Sequence, residues 1–319
     1  MIFIMKLHLD KEVFIEIIEA ASDHMSIPME FIEKDYYVSL LLWRIADKFP
    51  NIIFKGGTSL SKCHKLIKRF SEDIDITVNS SIVNNRVRMN LKDSIVNAIN
   101  KSELRLINPE DIKSRTNYNE YNISYPTIIG SSGNLRDYLL VETYLSTKSY
   151  PTEDKPVSNF ISDFLKETGY EELISKYNLQ GFKIKVQAVI RTLIDKIFAV
   201  CDYFEKDQLK QNSRHLYDIH QIWSNNTFDK TYFKELFEKV AADRSSNLKH
   251  NISFEKNYGI AHTMNKIISD KVYEEDYKNI TENLLFRNHL CSYDESINSL
   301  KELMNKGLIP NKVGQTFSK

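Results

Sequence analysis

The sequence predicts an α+β protein: a mixed sheet flanked by helices, followed by a mainly helical C-terminal domain. The first 150 residues interleave helical periodicity with short strand-like runs. A polar stretch with two prolines, Ser146–Ser158, then interrupts the pattern as a linker or exposed loop would. Beyond it, apart from an alternating run at Phe182–Val186, the patterns are helical, so the domains are expected at 1–150 and 151–319.

Each element has its own signal. Asp10 precedes a segment in which Val13 and Ile17, and Phe14 and Ile18, recur four apart, as in a packing helix capped by Asp10. A second helix should run from about Phe31 to Phe49 and stop before Pro50, because proline disfavours helix in the residue preceding it. Asn51-Ile-Ile-Phe54 reads as a buried strand, Gly56-Gly57 as a turn and Ser59–Arg69 as a helix. Asp73–Val78 alternates, which puts Asp73, Asp75 and Thr77 on one strand face and Ile74, Ile76 and Val78 on the other. A helix over about Val87–Ser102 precedes strands near Glu103–Ile107, Tyr118–Tyr125 and Tyr138–Ser146, with Gly130–Asn134 as a turn. In the second half, helices are expected at Ala188–Phe204, Arg214–Trp223, Thr231–Ala242, Ile260–Ile268 and Tyr273–Leu285, and the closing NKVGQTFSK, which lacks periodicity, should fray.

Composition narrows the class. With 42% hydrophobic and 27% charged residues, the 319-residue chain has the balance of a globular protein with a substantial core. Lys plus Arg (43) equals Asp plus Glu (43), so any polyanion site must come from local clustering. Cys63, Cys201 and Cys291 are few, scattered and without C-x-x-C spacing, which argues against a disulfide framework or zinc knuckle and for a reducing cytoplasm. The apolar opening MIFIM is interrupted by Lys6, His8, Asp10 and Lys11, and no later run reaches spanning length, so neither export nor a membrane partner is expected.

The chemistry concentrates between residues 56 and 75. Nucleotidyl transfer builds charge on phosphate oxygens, and divalent ions held by close carboxylates neutralise it. Asp73 and Asp75 share a strand face, and Glu142, in the strand-forming run Tyr138–Leu145, could be presented beside them by a neighbouring strand, making these three the expected ligands of Mg2+ or Mn2+. Gly56 and Gly57 allow close approach of a triphosphate, and Thr58 and Ser59 follow where a helix start offers free N–H groups. Lys62 follows GGTSLS, but the spacing is not that of a P-loop. Alone, a Gly-Gly turn or a D-x-D strand is commonly plain structure; strand, glycine turn, helix and D-x-D strand in that order form a coherent constellation. Lys62, Lys65, Lys68 and Arg69 recur at helical spacing, readable equally as a basic stripe guiding a nucleotide or RNA and as a solvated face.

These motifs carry a resemblance. Phe54-Lys-Gly-Gly-Thr-Ser-Leu-Ser-Lys62, then Arg69-Phe-Ser-Glu-Asp-Ile-Asp-Ile76, resembles the glycine motif and R-F-S-x-D-I-D strand of the AbiEii/AbiGii-type nucleotidyltransferase toxins, within the polymerase-beta-like nucleotidyltransferase superfamily. Glu33-Lys-Asp-Tyr-Tyr37 is similar to that family's entry to its second helix. Arg191–Lys196 resembles its helix ending in E-K, with Asp195 in place of the commoner glutamate, and Arg214-His-Leu-Tyr-Asp218 resembles its R-H-x-Y-D motif. The resemblance touches residues 33 to 218 and leaves the remainder without a motif.

It implies that Lys196 contacts the nucleotide phosphates and that Asp218 orients the acceptor or a basic side chain; the bland alternative is a structural ion pair between the two. It further implies a toxin of a toxin–antitoxin or phage-defence system, with an NTP as substrate, the tRNA 3′ end as acceptor and a cognate antitoxin as partner. Two other readings stay open: a nucleotide-binding module without turnover, and a transferase whose acceptor is a protein hydroxyl.

Overall fold

Ile52–Lys55 (β1), an apolar run closed by Gly56, becomes an interior strand of a seven-stranded mixed sheet in the computed structural model, which describes residues 5–78, 83–130, 135–245 and 252–314. The expected turn at 131–134, the first four residues and the last five lie outside the described residues. The other strands are Ile74–Val78 (β2), Arg105–Leu106 (β3), Tyr118–Ser124 (β4), Leu139–Tyr144 (β5), Thr152–Val157 (β6) and Phe182–Gln187 (β7), in the order β3-β4-β5-β2-β1-β7-β6. β1 pairs antiparallel with β2 and parallel with β7, and β2 pairs parallel with β5.

The chain divides into two compact units. The first contains the chain up to Lys65, Phe70–Leu145 and Thr152–Gln187, hence the whole sheet. Its helices are Lys11–Met25 (α1), Met29–Lys48 (α2), Gly56–Lys62 (α3), Asn85–Lys101 (α4), Phe160–Glu167 (α5) and Glu171–Tyr177 (α6). Helix α1 buries Phe14, Ile17 and Ile18 as the spacing requires, but Asp10 makes no side-chain cap. Its carboxylate instead accepts the Tyr177 hydroxyl at 2.7 Å. Two starts are capped by side chains: Asn84 accepts from Val87 N on α4, and Asn159 and Ser162 form a capping box on α5.

The stretch read as a linker is in part a strand: β6 pairs antiparallel with β7 from Thr152 to Val157. Its polar sequence and Pro156 are tolerated because β6 lies at the sheet edge, where one side of the backbone needs no partner. The sheet therefore runs on past residue 150, and the short helices α5 and α6, which the periodicity did not reveal, connect its last two strands.

The second unit contains Leu66–Arg69, Ser146–Pro151 and the chain from Ala188 onward. Val189–Glu205 (α7) packs against Arg214–Asn225 (α8), and α8 against Tyr293–Asn305 (α13). Lys230–Ser245 (α9) and Ile260–Ser269 (α10) pack on α7. The helix expected at Tyr273–Leu285 forms as a continuous run from Glu274 to Leu284, in which Glu274–Asp276 (α11) and Glu282–Leu284 (α12) flank a π-helical turn, Tyr277–Thr281. Helix α13 opens on a capping box of Ser292 and Glu295. Among the described residues no helix is long and apolar enough to cross a membrane.

Candidate active site

Gly56 ends β1 and starts α3 with φ +75°, a left-handed conformation that L side chains rarely adopt. A Cβ built there would collide with the carboxylate of Asp75, so the glycine is what lets the acid lie against the turn. Helix α3 ends at Lys62 rather than running to Arg69, and the Lys62 side chain reaches α2. Its ammonium donates to Asp35 Oδ1 (2.5 Å), the Asp35 carbonyl (3.1 Å) and Ser39 Oγ (2.6 Å). Burial pulls the lysine pKa down while Asp35 opposes it. The basic stripe therefore does not exist: Lys62 and Arg69 are buried, and Lys65 pairs with Asp163.

Thr58 and Ser59 are buried with their hydroxyls turned inward, Thr58 Oγ1 to Ser71 Oγ (3.0 Å) and Ser59 Oγ to the Gly56 carbonyl (2.9 Å). Their side chains are thus committed to the protein, and the part-exposed Gly56 and Gly57 are the accessible portion of the motif. The Thr58–Ser71 contact ties the glycine motif to the approach of the D-x-D strand.

Asp75 lies opposite Lys55 on β1 and beside Glu142 on β5, and Glu142 lies opposite Glu120 on β4. Residues paired across a sheet share a face, so Lys55, Asp75, Glu142 and Glu120 form one charged row. The expected neighbour relation between Asp75 and Glu142 is thus a feature of strand register. The Tyr118 hydroxyl donates to Glu142 Oε1 at 2.6 Å and lies 3.2 Å from Glu120 Oε2. Burial and these carboxylates push its pKa well up, so the phenol stays a donor. Lys55 Nζ lies 5.4 Å from the centroid of the Tyr144 ring. Asp73 sits just before β2, part-exposed, and accepts Arg136 Nη1 at 2.5 Å. Thr77, expected on the acid face, is buried.

Among the described residues no group of three or more His, Cys, Asp or Glu forms a set arranged to hold a metal ion. The donors nevertheless suit Mg2+ or Mn2+ in kind: Asp73, Asp75 and Glu142 are hard, part-exposed carboxylates, two of them adjacent in register. Asp73 fits only if it gives up or shares the oxygen that Arg136 holds.

In the second unit, Arg69 Nε and Nη2 each donate to Asp218 at 2.8 Å, one to each carboxylate oxygen. Lys196 Nζ lies 2.6 Å from Asp218 Oδ2 and 3.4 Å from His215 Nδ1. Asp218 is fully buried; burial pushes its pKa up, but Arg69 and Lys196 outweigh that and hold it below the ordinary carboxylate value. Burial lowers the Lys196 pKa, and burial with Lys196 and Arg214 keeps His215 far below its usual value. The Lys196–Asp218 ion pair therefore exists, with Arg69 as a third member. Both oxygens of Asp218 are taken, so it holds basic side chains rather than facing a hydroxyl.

Sequence reasoning missed Glu120, Tyr118 and Arg136. The first two were detectable: alternation in the predicted strand at Tyr118–Tyr125 puts Tyr118 and Glu120 on one face. Arg136 lies between elements, where no period applies.

Residues 40–302 match the model of the nucleotidyl transferase AbiEii toxin, a type IV toxin–antitoxin system, over well more than half of the chain. The chain belongs to the AbiEii family. The AbiEii match starts after Glu33–Tyr37 and extends far past residue 218, taking in most of the C-terminal stretch that carried no motif. As an AbiEii protein the chain is a nucleotidyltransferase toxin of a toxin–antitoxin system, and a cognate antitoxin is its implied partner. No curated protein matches it.

Proposed function

We propose that this AbiEii protein is a divalent-metal-dependent enzyme that transfers a nucleoside monophosphate from an NTP to the 3′ end of a tRNA, blocking translation in the cytoplasm as part of phage defence. The observation that carries the reading is the set of Gly56, Asp75 and Glu142: a glycine turn against which the Asp75 carboxylate packs, in register with a second carboxylate on the next strand.

In this reading Gly56 and Gly57 receive the triphosphate through the backbone, where the lack of side chains permits close approach. Asp73, Asp75 and Glu142 hold Mg2+ or Mn2+, which when bound neutralises charge on the transferring phosphate. The acceptor hydroxyl oxygen bonds to the α-phosphorus, the bond to the β-phosphate breaks, and pyrophosphate leaves. The hydroxyl proton passes to a carboxylate of the row. Tyr118 fixes Glu142 by its hydrogen bond. In the second unit, Asp218 with Arg69 holds the ammonium of Lys196, the lysine to which the family resemblance gives a phosphate-contacting role.

The test is incubation with Mg2+, each α-labelled NTP and total RNA, beside Asp75→Ala. Label on tRNA with the wild type alone supports the reading and names the nucleotide. Label on protein moves the acceptor to a protein hydroxyl. NTP binding with no transfer under any condition leaves a nucleotide-binding module.

A further inference from the structure

Arg136 stands at the junction of two motifs and belongs to neither. Its Nη1 donates to Asp73 Oδ1 at 2.5 Å and lies 3.4 Å from Glu72 Oε1. Lys34 of α2, its side chain wholly buried, pairs with the other oxygen of Glu72 and donates to the carbonyl of Arg136 at 2.5 Å. Lys34 therefore clamps the main chain of Arg136 directly, and Glu72 links the lysine to its guanidinium. The side chain is still one-third exposed and ends on the acid that precedes β2. A purely structural strut would be complete with Lys34 and Glu72. The bond to Asp73 places a positive charge on the acid two residues before Asp75, which lies in register with Glu142.

We propose that Arg136 is a resident counter-cation that occupies Asp73 and competes with a divalent cation for the same oxygen, setting how tightly the carboxylate row takes the ion. This rests on the metal-dependent reading above. A charge-assisted hydrogen bond between guanidinium and carboxylate must be broken or shared when the ion arrives, so binding is weakened by the worth of that bond. Lys34 on α2 thereby becomes a positioning residue for Asp73 acting through Arg136.

The experiment is titration of the full chain with Mn2+ alone, without nucleotide, following free Mn2+ by electron paramagnetic resonance. The variants are Arg136→Gln, Arg136→Lys and Asp73→Asn, and the double variant Arg136→Gln with Asp73→Asn; circular dichroism confirms folding of each. Arg136→Gln should bind Mn2+ about tenfold more tightly, the worth of one such bond. Arg136→Lys, which keeps the charge, should stay near the wild type. In the Asp73→Asn background the glutamine should change nothing. Equal affinity for wild type and Arg136→Gln, or weaker binding by Arg136→Gln, overturns the inference and leaves the metal-dependent reading standing. If no protein of the set binds Mn2+, both fall.

Discussion

Arg69 and Asp218, 149 residues apart in sequence, meet as a two-pronged buried ion pair with both bonds at 2.8 Å. Two motifs that read separately along the chain, R-F-S-E-D-I-D and R-H-L-Y-D, thus share one contact, and Lys196 completes it from α7. The planar guanidinium matches the carboxylate fork, which a lysine at 69 could not.

Asp218→Asn should be severely destabilising, because it leaves Arg69 and Lys196 as buried cations without their anion. The expected loss is about 3–5 kcal/mol, the range for breaking a buried pair on one side. Urea unfolding followed by circular dichroism measures it, and a loss under about 1 kcal/mol would place the pair in a far more solvated setting than its burial indicates.

Gly56→Ala tests the turn. The positive φ and the collision with Asp75 should together cost about 1–3 kcal/mol of stability. In the proposed reading Asp75 serves the reaction, and displacing such a carboxylate by about an ångström lowers rates on the order of a hundredfold, so nucleotidyl transfer should fall at least that far while the protein still folds. An active Gly56→Ala enzyme would falsify the close packing of the turn on Asp75.

Lys62 and Asp35 should behave as one unit. Lys62→Met leaves Asp35 buried without its cation, and Asp35→Asn leaves the ammonium without its carboxylate, so each alone destabilises strongly. The double variant should lose less than the sum by about 1–3 kcal/mol, measured as the coupling in a thermodynamic cycle. Additive losses would mean that the two side chains act independently.

Stability should fall as the solution is acidified from about pH 6.5. His215 stays neutral in the fold but takes a proton in the unfolded chain below its ordinary value of 6.5, so acid favours unfolding. Its contribution has a slope of up to about 1.4 kcal/mol per pH unit. His8, His64 and His220, whose pKa values burial also lowers, act in the same direction. Asp218 adds its loss only in stronger acid, below its ordinary 3.8, because its pKa is depressed in the fold. Unfolding midpoints between pH 7.5 and 5 should therefore drop less steeply in His215→Asn than in the wild type, and parallel curves would exclude His215 as a source.

Much of the first unit was legible in one dimension. Helix α2 and strands β1, β2, β4 and β5 follow from period and from punctuation by Pro50 and Gly56, because a local rule governs each. The glycine turn and the D-x-D strand were recognisable because Gly56, Asp73 and Asp75 fall within twenty residues. Edge strand β6 was hidden by its polar, proline-bearing sequence, and α5 and α6 by their brevity. The helix over Glu274–Leu284 was legible but its π turn at Tyr277–Thr281 was not, since the pattern of apolar residues does not distinguish a π turn from an α turn.

By itself, then, the sequence determined the fold class, the glycine turn, the acid strand and the family, all of which depend on residues close together in the chain. Tertiary structure alone decided what the charged side chains do. It sent Lys62 into α2, joined Arg69 to Asp218, set Arg136 on Asp73 and aligned Asp75 with Glu142 and Glu120. Hydrogen-bonded register and buried ion pairing act across tens to hundreds of residues, and the identity of a lysine or aspartate does not name its partner.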